Sequence, residues 1–299
     1  MSPTSSEDVP MDEMLTVAAV ARRLGVAPAT LRTWDRRYGL GPSSHEAGEH
    51  RRYSAKDLAK LTLMRRLIAS GVTPADAAIR ALAHKGSLAS VNPIAELDSD
   101  SQLISTLFKS AKALDTDFVE STIRSAIEER GVEATWCHVV VPLLEMVGSY
   151  WADTGEGIEV EHLLTEIVKR VLQRGSCKNP INAHPVILAA IGEELHCLAL
   201  YALAAVLAEQ NIDTHFLGAR TPVEVLASVT KKSAPPAIFL WAQLSKNGDT
   251  KSLTQLPSIR PAPRVVIGGP GWKKSGCEGA YFAADLRSAC EEISQAVGA

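Results

Sequence analysis

Several features are missing from this 299-residue sequence, and each missing feature excludes a class of protein. No apolar run reaches the roughly 20 residues that a transmembrane helix needs, and residues 1–13 are typical of a disordered leader instead of a signal peptide. The five cysteines are scattered without a CxxC pair, which argues against a disulfide framework and a structural zinc site. These absences predict a cytoplasmic protein that does not contact a membrane.

Signatures of catalysis are missing as well. We find no nucleophile–base constellation, and residues 268–271 are not a dinucleotide fingerprint because they follow a late strand instead of opening the first helix. The chain is nevertheless 46% hydrophobic, which suffices for two or three folded domains at this length. The sequence therefore predicts a multidomain protein that is not an enzyme.

Charge is distributed unevenly along the chain. Residues 14–85 carry 13 lysines and arginines against 5 acidic residues, a balance of +8 within a chain of net charge −3. A basic domain on an acidic body is typical of a protein that binds nucleic acid through one end.

Residues 14–82 have the pattern of a winged helix-turn-helix. Thr16 is a helix N-cap ahead of residues 17–24, and Pro28 is suited to open a second helix over residues 29–37. The polar stretch 41–50 has the length of a wing. Two further helices are predicted over residues 55–70 and 74–82.

The second helix and the end of the wing supply the candidate DNA contacts. Arginine suits phosphates and guanine edges. Leu31 is expected to face the core together with an aromatic neighbour, which leaves Arg32 and Arg36 on one exposed side. The predicted DNA-binding residues are Thr16, Arg32, Trp34, Arg36, Arg37, Tyr38, Arg51, Arg52 and Tyr53.

The rest of the chain divides into a helical part and an alternating part. Residues 83–101 are predicted to be a linker, and residues 102–174 have apolar residues at helical spacing, which favours a four-helix bundle. After a second linker, 175–184, strands and helices alternate over residues 185–299. The predicted fold class is therefore multidomain α and α/β, ending in a Rossmann-like (flavodoxin-like) doubly wound parallel sheet.

The first domain resembles the MerR family of transcription regulators. The resemblance is carried by residues 30–40 (TLRTWDRRYGL) and 50–53 (HRRY), with Asp35 where that family more often has Glu. It implies a regulator that grips double-stranded promoter operator DNA with its arginines and acts on RNA polymerase indirectly. The long dimer helix of many members is missing, so we expect a homo-oligomer that assembles differently.

A second resemblance connects the remaining chain to the cobalamin-binding MerR regulators of the CarH and LitR type. Trp151 is followed, after nine residues, by Glu161-His162. In that family the tryptophan covers the upper face of the corrin and the Glu-His pair approaches the upper axial group. Light-sensing members have a histidine after the tryptophan, and this chain has Ala152, so the resemblance does not extend to a photoreceptor.

The lower face of the corrin is implied by residues that follow the first strand of the sheet. The family pattern is Asp-x-His-x-x-Gly, and this chain has Glu194, His196 and Ala199 at those positions. The resemblance implies cobalamin as the cofactor, with His196 as the cobalt ligand and Glu194 holding its other ring nitrogen. Ala199 narrows the channel for the nucleotide tail of the cofactor.

Two further positions bear on that tail. Gly268 and Gly269 match the glycine pair of the family, which allows close backbone approach to the tail. Trp241 replaces a serine and brings far more volume into the same cavity.

Two alternatives stay open at this point. Trp151 plugging a helix end, His196 capping a helix start and a plain turn at Gly268 would explain the motifs without a cofactor. The chain would then be a MerR-type regulator with a degenerate cobalamin domain that senses another small molecule or a protein partner. A cobalamin-dependent enzyme is the other alternative, although no catalytic barrel accompanies the module.

Overall fold

A computed structural model describes residues 14–43, 51–84, 100–173, 175, 177–273, 277 and 279–298. The predicted leader and most of both the wing and the first linker lie outside these residues. The chain divides by its contacts into two compact units, Met1–Thr122 with Leu143–Leu163, and Ile123–Pro142 with Leu164–Ala299. The domain boundaries expected from composition and motifs remain predictions.

The N-terminal part of the chain is built from short helices and one two-stranded ribbon. Its elements are β1 (Leu15–Thr16), α1 (Val17–Leu24), α2 (Pro28–Tyr38), β2 (Arg52–Tyr53), α3 (Ala55–Ala69) and α4 (Pro74–Ala83). The hydroxyl of Thr16 accepts the N–H of Ala19, and Ser54 with Asp57 forms a capping box, so the helix starts follow local chemistry. The antiparallel pairing of β1 with β2 is not predicted, because two residues show no alternation.

Four helices follow in the order of the predicted bundle: α5 (Asp100–Lys112), α6 (Thr116–Thr135), α7 (Val141–Thr154) and α8 (Ile158–Leu172), with a π-helical turn over Trp136–Val140. Gly131 interrupts α6 with a φ of 82°, a conformation that favours glycine. Among the described residues, no helix combines the length and apolar character needed to cross a membrane.

In the first unit, α3 packs against α5 and the start of α6. The guanidinium groups of Arg65 and Arg66 both pair with Asp115, and the hydroxyl of Thr106 donates to the carbonyl oxygen of Ala69 at 3.2 Å. Arg65 and Arg66 are buried. They contribute to the basic count of residues 14–85 but not to an exposed basic surface.

The α/β part contains β3 (Val186–Ile191), α9 (Leu198–Glu209), β4 (Thr214–Thr221), α10 (Val223–Ser233), β5 (Ala237–Trp241), β6 (Arg264–Gly268), β7 (Ala280–Ala283) and α11 (Leu286–Val297). The five strands are parallel in the order β4-β3-β5-β6-β7. This is a doubly wound order, and its direction switches between β3 and β5, where such folds bind ligands at the carboxyl edge. The predicted fold class is confirmed, and β7 is the strand that the sequence prediction misses.

One element begins later than predicted. The sequence favours a helix from residue 195, whereas α9 begins at Leu198 and residues 192–197 form a loop at the switch point. The first half of the loop is held by two hydrogen bonds, since Gly192 N–H donates to the carbonyl oxygen of Thr221 and Arg220 N–H donates to that of Glu194. These contacts compete with helix formation there.

Candidate DNA interface and ligand site

The exposed arginines of α2 form the candidate DNA surface. Leu31 and Trp34 are buried, and Arg32, Arg36 and Arg37 are exposed. The four-residue spacing of Arg32 and Arg36 brings them to one side of the helix. None of the three arginines forms an ion pair with any other described residue, so their charges are available to phosphates and base edges.

Two of the predicted DNA contacts are wrong. Trp34 is 7% exposed and Tyr53 is 1% exposed, and both belong to the hydrophobic core around Val20 and Met64. In a sequence, aromatic side chains next to arginines suggest a binding surface. In the structure these two aromatic side chains pack into the core instead. Tyr38 is partly buried against the same core.

Arg51 and Arg52 differ although they are adjacent. Nη2 of Arg51 lies 3.1 Å from the carboxylate of Asp35 in α2, whereas Arg52 is exposed on β2 and has no ion pair with another described residue. A Cβ at Gly41 would lie 2.6 Å from Cγ of Asp35, so glycine leaves room for that carboxylate. Asp35 therefore positions Arg51, whereas Arg52 has no such partner among the described residues. Thr16 is exposed, and its DNA contact stays a prediction.

At the switch point of the sheet, the buried carboxylate of Glu194 organises the loop after β3. Its Oε1 accepts the backbone N–H of His196 at 3.0 Å and lies 2.6 Å from Nδ1 of the same residue. Its Oε2 accepts three hydrogen bonds of 2.9 Å, from the backbone N–H groups of Gln243 and Leu244 and from Nδ2 of Asn247. One carboxylate thus joins the loop after β3 to the loop after β5.

The same contacts set the charge of Glu194 and the orientation of the imidazole. Burial raises the pKa of Glu194, but the hydrogen bonds from Asn247, Leu244 and His196 outweigh it and lower the pKa to about 2. A carboxylate at Nδ1 selects the tautomer whose proton is on Nδ1, which leaves the lone pair on Nε2. The His196 side chain is 55% exposed. The arrangement can offer Nε2 to a metal ion.

The glycine pair after β6 is packed against β5. A Cβ at Gly268 would lie 2.6 Å from Cζ of Phe239, and one at Gly269 would lie 3.2 Å from Cδ2 of Trp241 and close to the carbonyl oxygen of Ala242. The glycines are therefore required by contacts within the domain. The indole of Trp241 lies against both of them.

Trp151, Glu161 and His162 are all exposed, the tryptophan by 49%. Trp151 lies near the end of α7, and the other two lie near the start of α8. An exposed tryptophan is available to a ligand or a partner, since tryptophan is usually largely buried. Their contact with a corrinoid stays a prediction.

The sequence reasoning misses Gln243, Leu244 and Asn247. They contact Glu194 across about fifty residues of chain, and nothing in a polar loop marks an amide as the partner of a distant carboxylate.

Two family profiles match this chain. The profile of MerR HTH family regulatory proteins matches residues 15–83, and that of the B12 binding domain matches residues 103–174. The chain is a MerR-type DNA-binding regulator with a B12-binding domain. Both resemblances inferred from the motifs are confirmed.

This regulator is also similar to two proteins over most of its length. The transcriptional repressor CarH of Myxococcus xanthus is 28% identical over 264 residues, covering 83% of this chain and 86% of CarH. The repressor CarA of the same organism is 27% identical over 263 residues, covering 86% of this chain and 87% of CarA.

Among solved structures, the monomethylamine corrinoid protein of Methanosarcina barkeri matches with a TM-score of 0.53 and 12% identity. The match covers 64% of this chain and 97% of that protein. At this identity the match shows the shared fold.

Proposed function

We propose that this regulator binds a duplex operator through Arg32, Arg36, Arg37 and Arg52, and that a corrinoid coordinated by His196 controls its DNA binding. The observation that carries the second half is the Glu194–His196 pair, which presents Nε2 at the switch point of the sheet. The names of CarH and CarA support repression as the direction of control. Assembly as a homo-oligomer on a palindromic operator, with an indirect effect on RNA polymerase, belongs to the same proposal.

The Glu194–His196 pair at the carboxyl edge of the sheet fits the cobalt ion of a corrinoid. Neutral imidazole is a good ligand for cobalt, and a carboxylate on its other nitrogen raises the basicity of the ring and fixes its orientation. A bound corrinoid would supply a cobalt ion. Nε2 of His196 would hold that ion, and Glu194 would keep the imidazole in place. Trp151, Glu161 and His162 would be the corrinoid contacts of the helical part, as the family resemblance implies.

A ligand controls DNA binding only through different affinities for two states of the protein. The corrinoid-bound and corrinoid-free forms are therefore expected to differ in oligomeric state or in operator affinity. Sedimentation and mobility shifts of both forms test this. Identical behaviour of the two forms would remove the sensory part of the proposal.

The cofactor itself is tested by absorbance. The full-length protein is mixed with hydroxocobalamin or cobinamide and desalted; we expect the corrinoid to stay with the protein and to show the spectrum of cobalt bound by histidine. His196→Ala should lose that spectrum and weaken binding, while His184→Ala, an exposed histidine at the opposite end of β3, should not.

A second candidate function is supported by Trp241. Because its indole lies against Gly268 and Gly269, the domain has the features of one that has lost cobalamin and responds to another small molecule or a protein partner. Failure of the wild-type protein to retain any corrinoid after desalting would favour this alternative.

A further inference from the structure

The crevice at the switch point of the sheet contains a large aromatic side chain. Trp241 is the last residue of β5 and pairs in register with Ala190 of β3 and with Gly268 of β6. It therefore lies at the carboxyl edge beside the switch point, where a doubly wound fold admits the extended part of a ligand.

The indole occupies the space above the glycine pair. Built Cβ atoms on Gly268 and Gly269 would lie 3.6 Å from Cε3 and 3.2 Å from Cδ2 of Trp241, which is van der Waals contact or closer. Its Nε1 is buried and donates to no acceptor among the described residues. The side chain is thus held there by packing and not by a hydrogen bond.

The backbone that carries the indole is fixed on both sides of the crevice. The backbone N–H groups of Gln243 and Leu244 donate to the buried Glu194 carboxylate. On the other side, Gly271 N–H donates to the carbonyl oxygen of Ala242 at 2.9 Å. A Cβ at Gly248 would collide with the backbone of Gly271, so these two loops touch through their main chains. The loop that follows Trp241 is therefore closed against both of its neighbours, and entry of a ligand group would require the indole to move.

His196 is not affected by this packing. Its side chain is 55% exposed, and its orientation depends on Glu194. The site therefore combines an accessible metal ligand with a filled crevice.

We propose that this domain takes a corrinoid that lacks the nucleotide tail, a cobinamide-type macrocycle, with its cobalt on His196 and Trp241 excluding the tail. This inference rests on the proposed function. The flat macrocycle needs only the edge of the sheet and the imidazole, whereas the tail of a complete cobalamin competes with the indole for the same volume. Trp241 is then the residue that determines specificity.

The test compares cobinamide with hydroxocobalamin by absorbance titration of the full-length protein. Cobalamin must also release its own base from cobalt, so the deciding quantity is the ratio of the two dissociation constants in wild type and in Trp241→Ser. We expect Trp241→Ser to tighten cobalamin binding about tenfold, roughly 1.4 kcal/mol, and to leave cobinamide binding nearly unchanged. Tyr281→Ser, which removes an exposed aromatic ring from β7, is the control and should change neither.

The outcomes separate the inference from the proposed function. If the ratio of the two dissociation constants is the same in wild type and Trp241→Ser, the inference that Trp241 excludes the nucleotide tail is overturned. Ligation of cobalt by His196 is not affected by that result. No cobinamide uptake by wild type overturns the inference whatever the variants do, and no uptake of either corrinoid by any variant removes the proposed function as well. If Trp241→Ser does not fold, Trp241→Phe, which removes part of the ring, should shift the ratio in the same direction by a smaller factor.

Discussion

Asp115 at the start of α6 and Arg66 in α3 form a two-pronged ion pair. Nε of Arg66 lies 3.1 Å from Oδ2 of the carboxylate, and Nη2 lies 3.0 Å from Oδ1. Arg65 donates to the same carboxylate, and the guanidinium of Arg66 lies 5.0 Å from the ring centre of Phe118. The side chains of Arg66 and Asp115 are 7% and 13% exposed. One carboxylate therefore neutralises two buried cations where the DNA-binding part meets the helical part of the first unit.

Replacing that carboxylate is expected to destabilise the protein strongly. Asp115→Asn leaves two buried guanidinium groups without a counter-charge, and breaking a buried pair in this way costs about 3–5 kcal/mol. Asp117→Asn changes an exposed carboxylate in the first turn of the same helix and should cost only about 0.3–1 kcal/mol. Chemical denaturation of both variants measures the difference. Similar losses in the two variants would contradict the role assigned to Asp115.

The same pair predicts a pH dependence. Burial raises the pKa of Asp115, but the hydrogen bond and charge of Arg66 and the charge of Arg65 outweigh it, so the pKa lies below its ordinary value of 3.8. Because the pKa is lower in the folded than in the unfolded chain, the stabilisation is complete above that value and is lost as the pH falls through the folded pKa. The stability difference between wild type and Asp115→Asn should shrink below pH 4. A constant difference down to pH 3 would show that the folded and unfolded chains bind the same number of protons at this carboxylate, so that folding does not lower its pKa.

Arg51 and Arg52 should respond differently to alanine substitution. Arg52→Ala removes an exposed cation that has no ion pair with another described residue, and it is expected to weaken operator binding by about 1–3 kcal/mol with little change in Tm. Arg51→Ala also breaks the contact with Asp35, so it should lower Tm as well. Mobility shifts and thermal unfolding measure the two effects. Lys231→Ala in helix α10 of the second unit is the control, and an effect of that variant equal to Arg52→Ala would refute the proposed interface.

Arg36→Ala should resemble Arg52→Ala, since Arg36 is exposed in α2 and has no ion pair with another described residue. We expect weaker binding and, if the lost contact is to a phosphate, a salt dependence reduced by about one unit of slope. Binding that is unchanged at every salt concentration would exclude α2 as the recognition helix.

Glu194→Gln tests the hydrogen bonds by which the buried Glu194 carboxylate joins the loops after β3 and β5. The amide places a donor among three donors, so at least one buried hydrogen bond is lost, and hydrogen bonds to charged groups contribute about 1.5–3 kcal/mol each. The variant should lose stability and bind corrinoid more weakly, because the imidazole of His196 loses its carboxylate partner. Glu193→Gln alters the neighbouring carboxylate, which is exposed and pairs with Arg220, and should do neither. Full stability in Glu194→Gln would show that these hydrogen bonds do not need the negative charge of Glu194.

Local chemistry in the sequence determined much of this protein. Thr16 and the Ser54–Asp57 capping box begin helices at the predicted positions, because caps act within one turn. Alternation of buried strands and helices determined the doubly wound sheet, and the motifs around Trp34 and Trp151 determined the family. The edge strand β7 is missed because Ala280–Ala283 is a run of only four residues without alternation, which periodicity cannot assign to a strand.

Only the tertiary structure decided which residues perform which task. The pattern R-T-W-D-R-R-Y does not show that Trp34 fills the core, or that Asp35 has a partner in Arg51 beyond the loop. Arg65 and Arg66 count as basic residues in the sequence, yet in the structure they are buried and pair with Asp115, about fifty positions away. From the sequence, the glycine pair at Gly268 predicts backbone that a ligand can approach closely. In the structure the indole of Trp241 packs against that pair. In each case the deciding contact joins residues far apart in the chain, and such contacts depend on packing, which no local pattern encodes.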